Sequence, residues 1–421
     1  MAVQRCKEEL IELGKMGRKA PVRVDRYEEL DMEKGLFRLE GTSEIKKSKD
    51  YIITRMKEVG LKVRFDKVGN IFAKKEGTKR STGAVMSGSH LDSVLNGGMF
   101  DGVLGVVSAL EAIRRMNDEG FANERPLEIV VFMGEEGSAF KKGLLGSDVA
   151  VGNRQAEEAL ALTNEENITL REVLKKAGYL GNVEIDFSEV EYFIEMHVEQ
   201  GPVLDREHIP IGIVENITGI TWVTANINGQ ENHAGTTPMS MRIDPLVAAS
   251  NIVLLASSRA NEMVKKLGGS TVATVGKMIV KPGAPNIIPG SVEMGIDIRD
   301  GIEKNMKSLQ AEIIQAIKNL EQQYKVSTSI DIPIYHPPCP CNSAVIQAIE
   351  HATESIGIKA KRMNSGAGHD AQNVAQKVKT GMIFVPSVNG ISHSPLEWTH
   401  WEDIEKGIQV LTRALKQLSK G

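Results

Sequence analysis

The sequence predicts an α/β fold: a mainly parallel sheet with helices on both faces, interrupted by a smaller α+β domain. Three observations carry that prediction. The stretches 84–87, 127–133 and 192–196 are continuous apolar runs rather than alternating ones, and strands read this way when helices bury both of their faces, as in parallel sheets. Between the first two, Val103, Leu104, Val106, Val107, Leu110 and Ile113 crowd one helix with apolar groups, and Gly102 and Gly105 permit close packing at its start. From about Gly212 the texture changes to alternating strands and amphipathic helices, and the first texture returns after residue 330.

Taken in order, 1–212 forms the first part of the larger domain, a βαβ core. The inserted domain is expected over 213–330. There TWVTANING reads as an alternating strand, 244–266 as a helix, 271–300 as further strands and 304–324 as a second amphipathic helix. The larger domain resumes over 331–421 with the proline-rich segment IDIPIYHPPCP, a helix near 342–356, the strand TGMIFVPS and a closing helix after Trp401. Hinges are expected near 212–219 and 331–333. A chain of 421 residues has enough length for two cores.

Lys and Arg number 51 against 55 Asp and Glu. So small a net charge supplies no basic field for nucleic acid or an anionic membrane and favours a small-molecule substrate. The first residues mix charge with apolar groups, without the uninterrupted apolar stretch of a secretory signal, and no segment has the composition of a bilayer span. A cytoplasmic location is expected. Cys6, Cys339 and Cys341 are too few for a disulfide framework. Cys339 and Cys341 read as a turn with two half-buried thiols rather than a soft-metal site, which needs matching cysteines elsewhere.

The chemistry concentrates at strand ends and loops. His90 follows one buried strand, Glu135 and Glu136 follow a second, and His197 follows a third; Asp101 ends the glycine-rich loop NGGMFDG, and His393 stands in GISHSP. Each has a plain alternative: a satisfied core histidine for His90, a helix N-cap for Asp101, a solvated turn for Glu135 and Glu136. Three apolar strands ending in such groups make the alternatives jointly weak. In α/β proteins reactive groups gather at the carboxyl edge of the sheet. The set suits two divalent cations, with terminal ligands for each, one carboxylate to bridge them and one left as a base. Asp92, two residues past His90, is suited to hold a ligand's ring or its neighbours.

These residues sit in motifs that resemble a known family. SHLDSV, GGMFDGVLGV, EEGSAF, MHVEQGPVL, NHAGTTPM, MNSGAGHDA and GISHSPLEW are similar to those of metal-dependent amidohydrolases acting on ureido compounds: N-carbamoyl-L-amino acid hydrolases, β-ureidopropionases and allantoate amidohydrolases, within the di-metal aminopeptidase and carboxypeptidase clan. The resemblance implies His90 and His197 on one cation, Glu136 and His393 on the other, Asp101 bridging and Glu135 as the base. The cations implied are zinc, manganese, cobalt or nickel. It further implies His233 as the donor to the oxyanion, reaching across a dimer contact, and Gln200, Asn286, Arg299 and the backbone at Gly368 as substrate contacts, with His369 and Asp370 orienting that loop. Arg299 offers a planar fork for a substrate carboxylate; its alternative is a surface ion pair. A homodimer paired through the inserted domain is expected. The rival functions are a metallo-dipeptidase or aminopeptidase of the same clan, and a silent binding protein, which the presence of every ligand and the base disfavours.

Overall fold

The computed structural model describes residues 2–18, 34–79, 83–268 and 270–420. By internal contact the chain divides into two compact units, Met1–Glu215 with Cys341–Gly421, and Asn216–Pro340. The described residues contain fifteen strands: β1 Lys62–Phe65, β2 Ile71–Lys75, β3 Ala84–His90, β4 Leu127–Phe132, β5 Val190–Val198, β6 Ile211–Ile217, β7 Gly219–Asn228, β8 Asn232–His233, β9 Val272–Lys281, β10 Ile287–Ile288, β11 Ser291–Asp300, β12 Ser327–His336, β13 Cys339–Pro340, β14 Ala360–Ser365 and β15 Lys379–Val385.

The large sheet has the order β1-β2-β4-β3-β5-β15-β6-β13, with β14 beside β6. Its centre, β4-β3-β5-β15, is parallel. Every residue of β3 and β4 is buried, as continuous apolar runs require. The flanks depart from the parallel pattern: β1 with β2, β2 with β4, and β15 with β6 pair antiparallel. Helix Val103–Asp118 packs along β3, β4 and β5 and against the closing helix Trp401–Leu418. It is buried at thirteen of its sixteen positions, which is why its sequence is apolar around most of its circumference.

The smaller unit is a four-stranded antiparallel sheet, β12-β7-β11-β9. One face carries Val223, Ala225, Ile227, Val292, Met294, Ile296 and Ile298 against helices Pro245–Leu267 and Glu303–Tyr324. The alternation that marked TWVTANING is the period of a strand with one covered face. Asp244 caps the first helix, accepting the N–H groups of Leu246 and Val247 at 2.9 and 3.3 Å, with Pro245 at the first helical position.

Two expected boundaries move. Residue 330 falls in the middle of β12, whose pairing along β7 carries the smaller unit to Pro340. The expected hinge segments are strand: 212–217 belongs to β6, and 331–333 coincides with a register break between Asp331 and Ile334 in β12. Pro333 has no N–H to give the ladder, so a bulge there is the natural outcome. The thiols differ too, since Cys339 and Pro340 form a two-residue strand on β6 rather than a turn. Among the described residues no helix is long and apolar enough to cross a membrane.

Candidate metal centre

The carboxyl ends of the central strands deliver the side chains. His90 is the last residue of β3 and His197 the last but one of β5. Glu135 and Glu136 stand in the turn after β4, entered through Gly134 at φ 66°. Asp101 precedes the helix that returns from β3, and His393 follows β15 at φ 53°.

One oxygen of Asp101 lies 3.5 Å from His90 Nε2 and 3.2 Å from His197 Nε2. The other lies 3.3 Å from His393 Nε2, which in turn is 3.5 Å from Glu136 Oε2. Two groups of donors, His90 with Asp101 and His197, and Asp101 with Glu136 and His393, each span no more than 4.8 Å and meet at Asp101. Glu135 Oε2 is 3.6 Å from His90 Nε2. Ring orientation is fixed from behind: His90 Nδ1 lies 3.1 Å from the carbonyl of Asp92 and His197 Nδ1 lies 2.9 Å from that of Val198. A carbonyl only accepts, so each Nδ1 carries a proton, and Nε2, on the Asp101 side, is the nitrogen left to ligate a cation in place of its own proton.

Of the two roles expected of Asp92, holding the His90 ring or holding its neighbours, the carboxylate takes the second. Its backbone carbonyl takes the ring proton, while its carboxylate, 3.6 Å from the ring, accepts the N–H groups of Glu135 and Glu136 at 3.2 and 3.1 Å. It therefore joins the His90 loop to the carboxylate turn. Asp101 is not a helix cap, since Gly102 holds the N-cap position without a side-chain hydrogen bond. Gly102 itself has φ 67°, and a Cβ there would stand 2.3 Å from His90 Cε1, so only glycine lets the loop pass the imidazole.

Glu397 is a functional residue the sequence reading missed. Its Oε1 accepts the N–H groups of Phe100 and Asp101 at 2.9 and 3.0 Å, and Oε2 accepts Ser392 Oγ at 2.8 Å. It lay in view inside GISHSPLEW, but nothing in that motif's spacing ties it to residue 101. Gln200, expected at the substrate, donates from Nε2 to Asp101 Oδ2 at 2.8 Å and lies 3.3 Å from His393 Nε2. A third buried group, Glu195 with His197 and His369, lies behind the first. There Glu195 accepts Ser89 Oγ at 2.6 Å and the N–H of Ala371 at 3.0 Å, and His369 Nε2 is 3.0 Å from Ser365 Oγ. Gly368 precedes His369, and a Cβ on it would meet no atom closer than 3.5 Å.

The electrostatics are those of excess negative charge. Burial pulls the Asp101 carboxyl up, but hydrogen bonds with His197, His393 and His90 outweigh it and hold the group well below the carboxylate range. Burial lifts Glu135 well above that range, His90 opposing and Glu136 adding, and pushes Glu136 up to about 8, Asp101 adding to the effect. His393 is raised to about 9 by its hydrogen bond to Asp101, against burial. Burial pulls His90 down, but Glu135 and Asp101 leave it well above its ordinary value. His369 is driven well below by burial and by His197. Glu136 Oε1 is moreover buried with no hydrogen-bond partner among the described residues. Converging donor atoms, an orphaned carboxylate oxygen and carboxyls raised by burial are what a pair of divalent cations would relieve; the donors fit them.

The remaining expected residues lie in the smaller unit. His233 in β8 pairs with Ile287 of β10, beside Asn286, whose carbonyl accepts the N–H of Ala234 at 3.0 Å. His233 is exposed, and its Nδ1 accepts the N–H groups of Gly235 and Thr236 at 3.0 and 3.2 Å. That leaves the proton on Nε2. Arg299 on β11 forms an ion pair with Asp297, Nε to Oδ1 at 2.9 Å and Nη2 to Oδ2 at 3.1 Å, and Trp222 Nε1 donates to the same Asp297 oxygen at 2.8 Å.

Known proteins share this fold and much of this sequence. An N-carbamoyl-L-amino acid amidohydrolase of Geobacillus stearothermophilus is 37% identical, the alignment covering 99% of both chains. An allantoate amidohydrolase of Bacillus subtilis is 34% identical over 91% of this chain and 93% of its own. The crystal structure of an amidase of the hydantoinase/carbamoylase family from Burkholderia multivorans superposes with a TM-score of 0.88 at 34% identity, covering 100% of this chain and 98% of the other. The model of peptidase family M20/M25/M40 matches residues 86–417. The chain belongs to that family.

Proposed function

We propose that the chain hydrolyses the ureido C–N bond of N-carbamoyl-L-amino acids, releasing the amino acid, carbon dioxide and ammonia, with allantoate and N-carbamoyl-β-alanine as alternative substrates of the same chemistry. The observation that carries this reading is the convergence of two donor groups on Asp101, in a chain similar throughout to an amidohydrolase of such compounds. His90, Asp101 and His197 would hold one cation, and Asp101, Glu136 and His393 the other, with zinc, manganese, cobalt or nickel suited to such donors. Cations so held polarise a carbonyl oxygen and lower the pKa of water.

Glu135 takes a proton from the attacking water at Oε2 and returns it to the leaving nitrogen. Burial and Glu136 favour the acid form of Glu135 while His90 favours the carboxylate; the carboxylate is the form that takes the proton and the acid the form that returns it. His233 donates its Nε2 proton as a hydrogen bond to the oxyanion, from its own chain or from a partner. Arg299 takes the substrate carboxylate, exchanging one carboxylate for another at the fork now held by Asp297. Asn286, Gln200 and the backbone at Gly368 supply the remaining polar contacts.

A homodimer paired through the smaller unit completes the proposal. Its support is that β9 lies at the edge of its sheet with Val272, Met278 and Ile279 exposed, the sort of edge that invites a second chain. Sedimentation is expected to give twice the chain mass; a monomer at working concentration removes the partner's role for His233.

The test of function is to strip the protein with a chelator, restore single cations, and follow ammonia from N-carbamoyl-L-amino acids, N-carbamoyl-β-alanine and allantoate alongside cleavage of dipeptides. Cation-dependent ammonia release, fastest with the N-carbamoyl-L-amino acids, is expected. Dipeptide cleavage without ammonia would assign the chain to the peptidases of its family instead.

A further inference from the structure

The segment 34–40 lies outside the matched residues 86–417 and contains none of the expected ligands, yet it braces the loop between His90 and Asp101. Leu36 and Gly97 exchange both backbone hydrogen bonds, at 2.9 and 3.0 Å. The Arg38 N–H donates to Ser93 Oγ at 3.0 Å, the Ser93 N–H donates to the Arg38 carbonyl at 3.1 Å, and the Gly35 N–H donates to Asn96 Oδ1 at 2.7 Å. A Cβ on Gly35 would stand 2.5 Å from the Asn96 backbone, so the approach is as close as a glycine allows. The segment is thus a strap laid against 93–97, the stretch that joins His90 to Asp101.

Arg38 is completely buried. Its Nε donates to the Leu91 carbonyl at 2.5 Å and its Nη1 to the Leu13 carbonyl at 2.8 Å. Burial pulls it down to about 10, with Asp92 the strongest influence the other way and Glu397 adding to it, so it remains a cation at neutral pH. A buried cation bonded to carbonyls alone is costly unless a surplus of negative charge lies close by. Asp92 and Glu397 are that surplus, and they are the two carboxylates that hold the Glu135–Glu136 turn and the Asp101 amide. At the other end of the strap Glu40, buried and gripped by Lys49 at 2.7 and 2.9 Å, accepts the N–H of Gly134, next to Glu135.

We propose that Arg38 is a positioning residue of the metal centre: its buried guanidinium pins the Leu91 carbonyl and offsets Asp92 and Glu397, so that His90 and Asp101 are held for the cations from a segment outside the family match. The proposal rests on the reading of His90, Asp101, Glu136, His197 and His393 as ligands.

The experiment titrates Zn²⁺ into metal-stripped protein in competition with a chromophoric chelator, for the wild type, Arg38→Met, Arg38→Lys, Ser93→Ala and His197→Ala, with the Tm of each stripped and loaded form. Loss of a residue that orients ligands weakens binding roughly 10–100-fold; that is the expectation for Arg38→Met, with partial recovery in Arg38→Lys and a larger fall in the loaded Tm than in the stripped one. Zn²⁺ affinity of Arg38→Met within about twofold of wild type, far less than such a loss produces, with both Tm values falling equally, would overturn the proposal. Ser93→Ala removes the acceptor of the Arg38 N–H without removing the charge, loosening the strap at Arg38, and weakened Zn²⁺ binding is expected there too. Should Arg38→Met not fold, unchanged affinity in Ser93→Ala overturns it instead. His197→Ala separates the two readings: full zinc stoichiometry in that variant defeats the ligand assignment, whereas loss of a zinc there with no weakening in Arg38→Met defeats only the role of Arg38.

Discussion

At Asp101 burial and three imidazoles compete over one carboxyl, and the imidazoles win. The balance falls the other way at Glu135 and Glu136, where burial outweighs His90 and raises both carboxyls, Glu136 to about 8. Two predictions belong to this scale. Glu135→Gln keeps size and removes the proton acceptor, so kcat is expected to fall by about 10²–10⁴-fold, the usual weight of a general base. Metal content by elemental analysis should stay the same; retained turnover would reject the role. The second concerns pH. With Glu136 raised to about 8 and His393 to about 9, both groups are protonated at pH 7 in the metal-free protein, and a cation must displace those protons to bind. Apparent cation affinity therefore rises with pH through that window and falls on acidification. Calorimetric titration at pH 7 in buffers of different ionisation enthalpy should reveal the released protons, and identical heats in all buffers would contradict it.

The loop carrying Asp101 owes its shape to the elements it is wedged between. Phe100 is fully buried, with ring centroids 5.3 Å from Trp398 and 5.6 Å from Trp401 in edge-to-face contact. Through that cluster the closing helix and the loop before helix Val103–Asp118 fix one another, while Glu397 holds the adjoining amides. Phe100→Ala is expected to cost about 3–5 kcal/mol, the range for truncating a core aromatic, measured by urea unfolding, and to weaken cation binding because Asp101 is the next residue. A loss under about 1 kcal/mol would mean that the cavity collapses without strain.

For the whole molecule, the candidate centre lies within one compact unit, assembled from β3, β4, β5 and the loops after Gly98 and β15. Cations that bind only the folded state stabilise it by about 2.7 kcal/mol at a hundredfold excess over Kd. Chelation is therefore expected to lower Tm, and to lower hydrogen-exchange protection in β3, β4 and β5 while β7, β9 and β11 of the other unit keep theirs. Uniform loss across both units would count against this.

What residue order by itself determined is whatever local periodicity and composition encode: the apolar runs that became the buried parallel strands, the alternation of β7, the long helices, and a set of histidines and carboxylates at strand ends. Each is a statement about neighbours in sequence, and burial of a strand leaves its mark there. The antiparallel flanks were not legible, because β1 and β2 are short and only partly buried, so neither pattern is strong. Nor was the work of Glu397 or Arg38, and of Asp92 only that it would hold a ligand or its neighbours. Their partners lie far along the chain or on another loop, Glu397 296 residues from Asp101, and a hydrogen bond across such a separation leaves no period to read. Tertiary structure alone decided that two oxygens of one aspartate face three imidazoles, since convergence depends on how parallel strands stack side by side, which no stretch of sequence specifies separately.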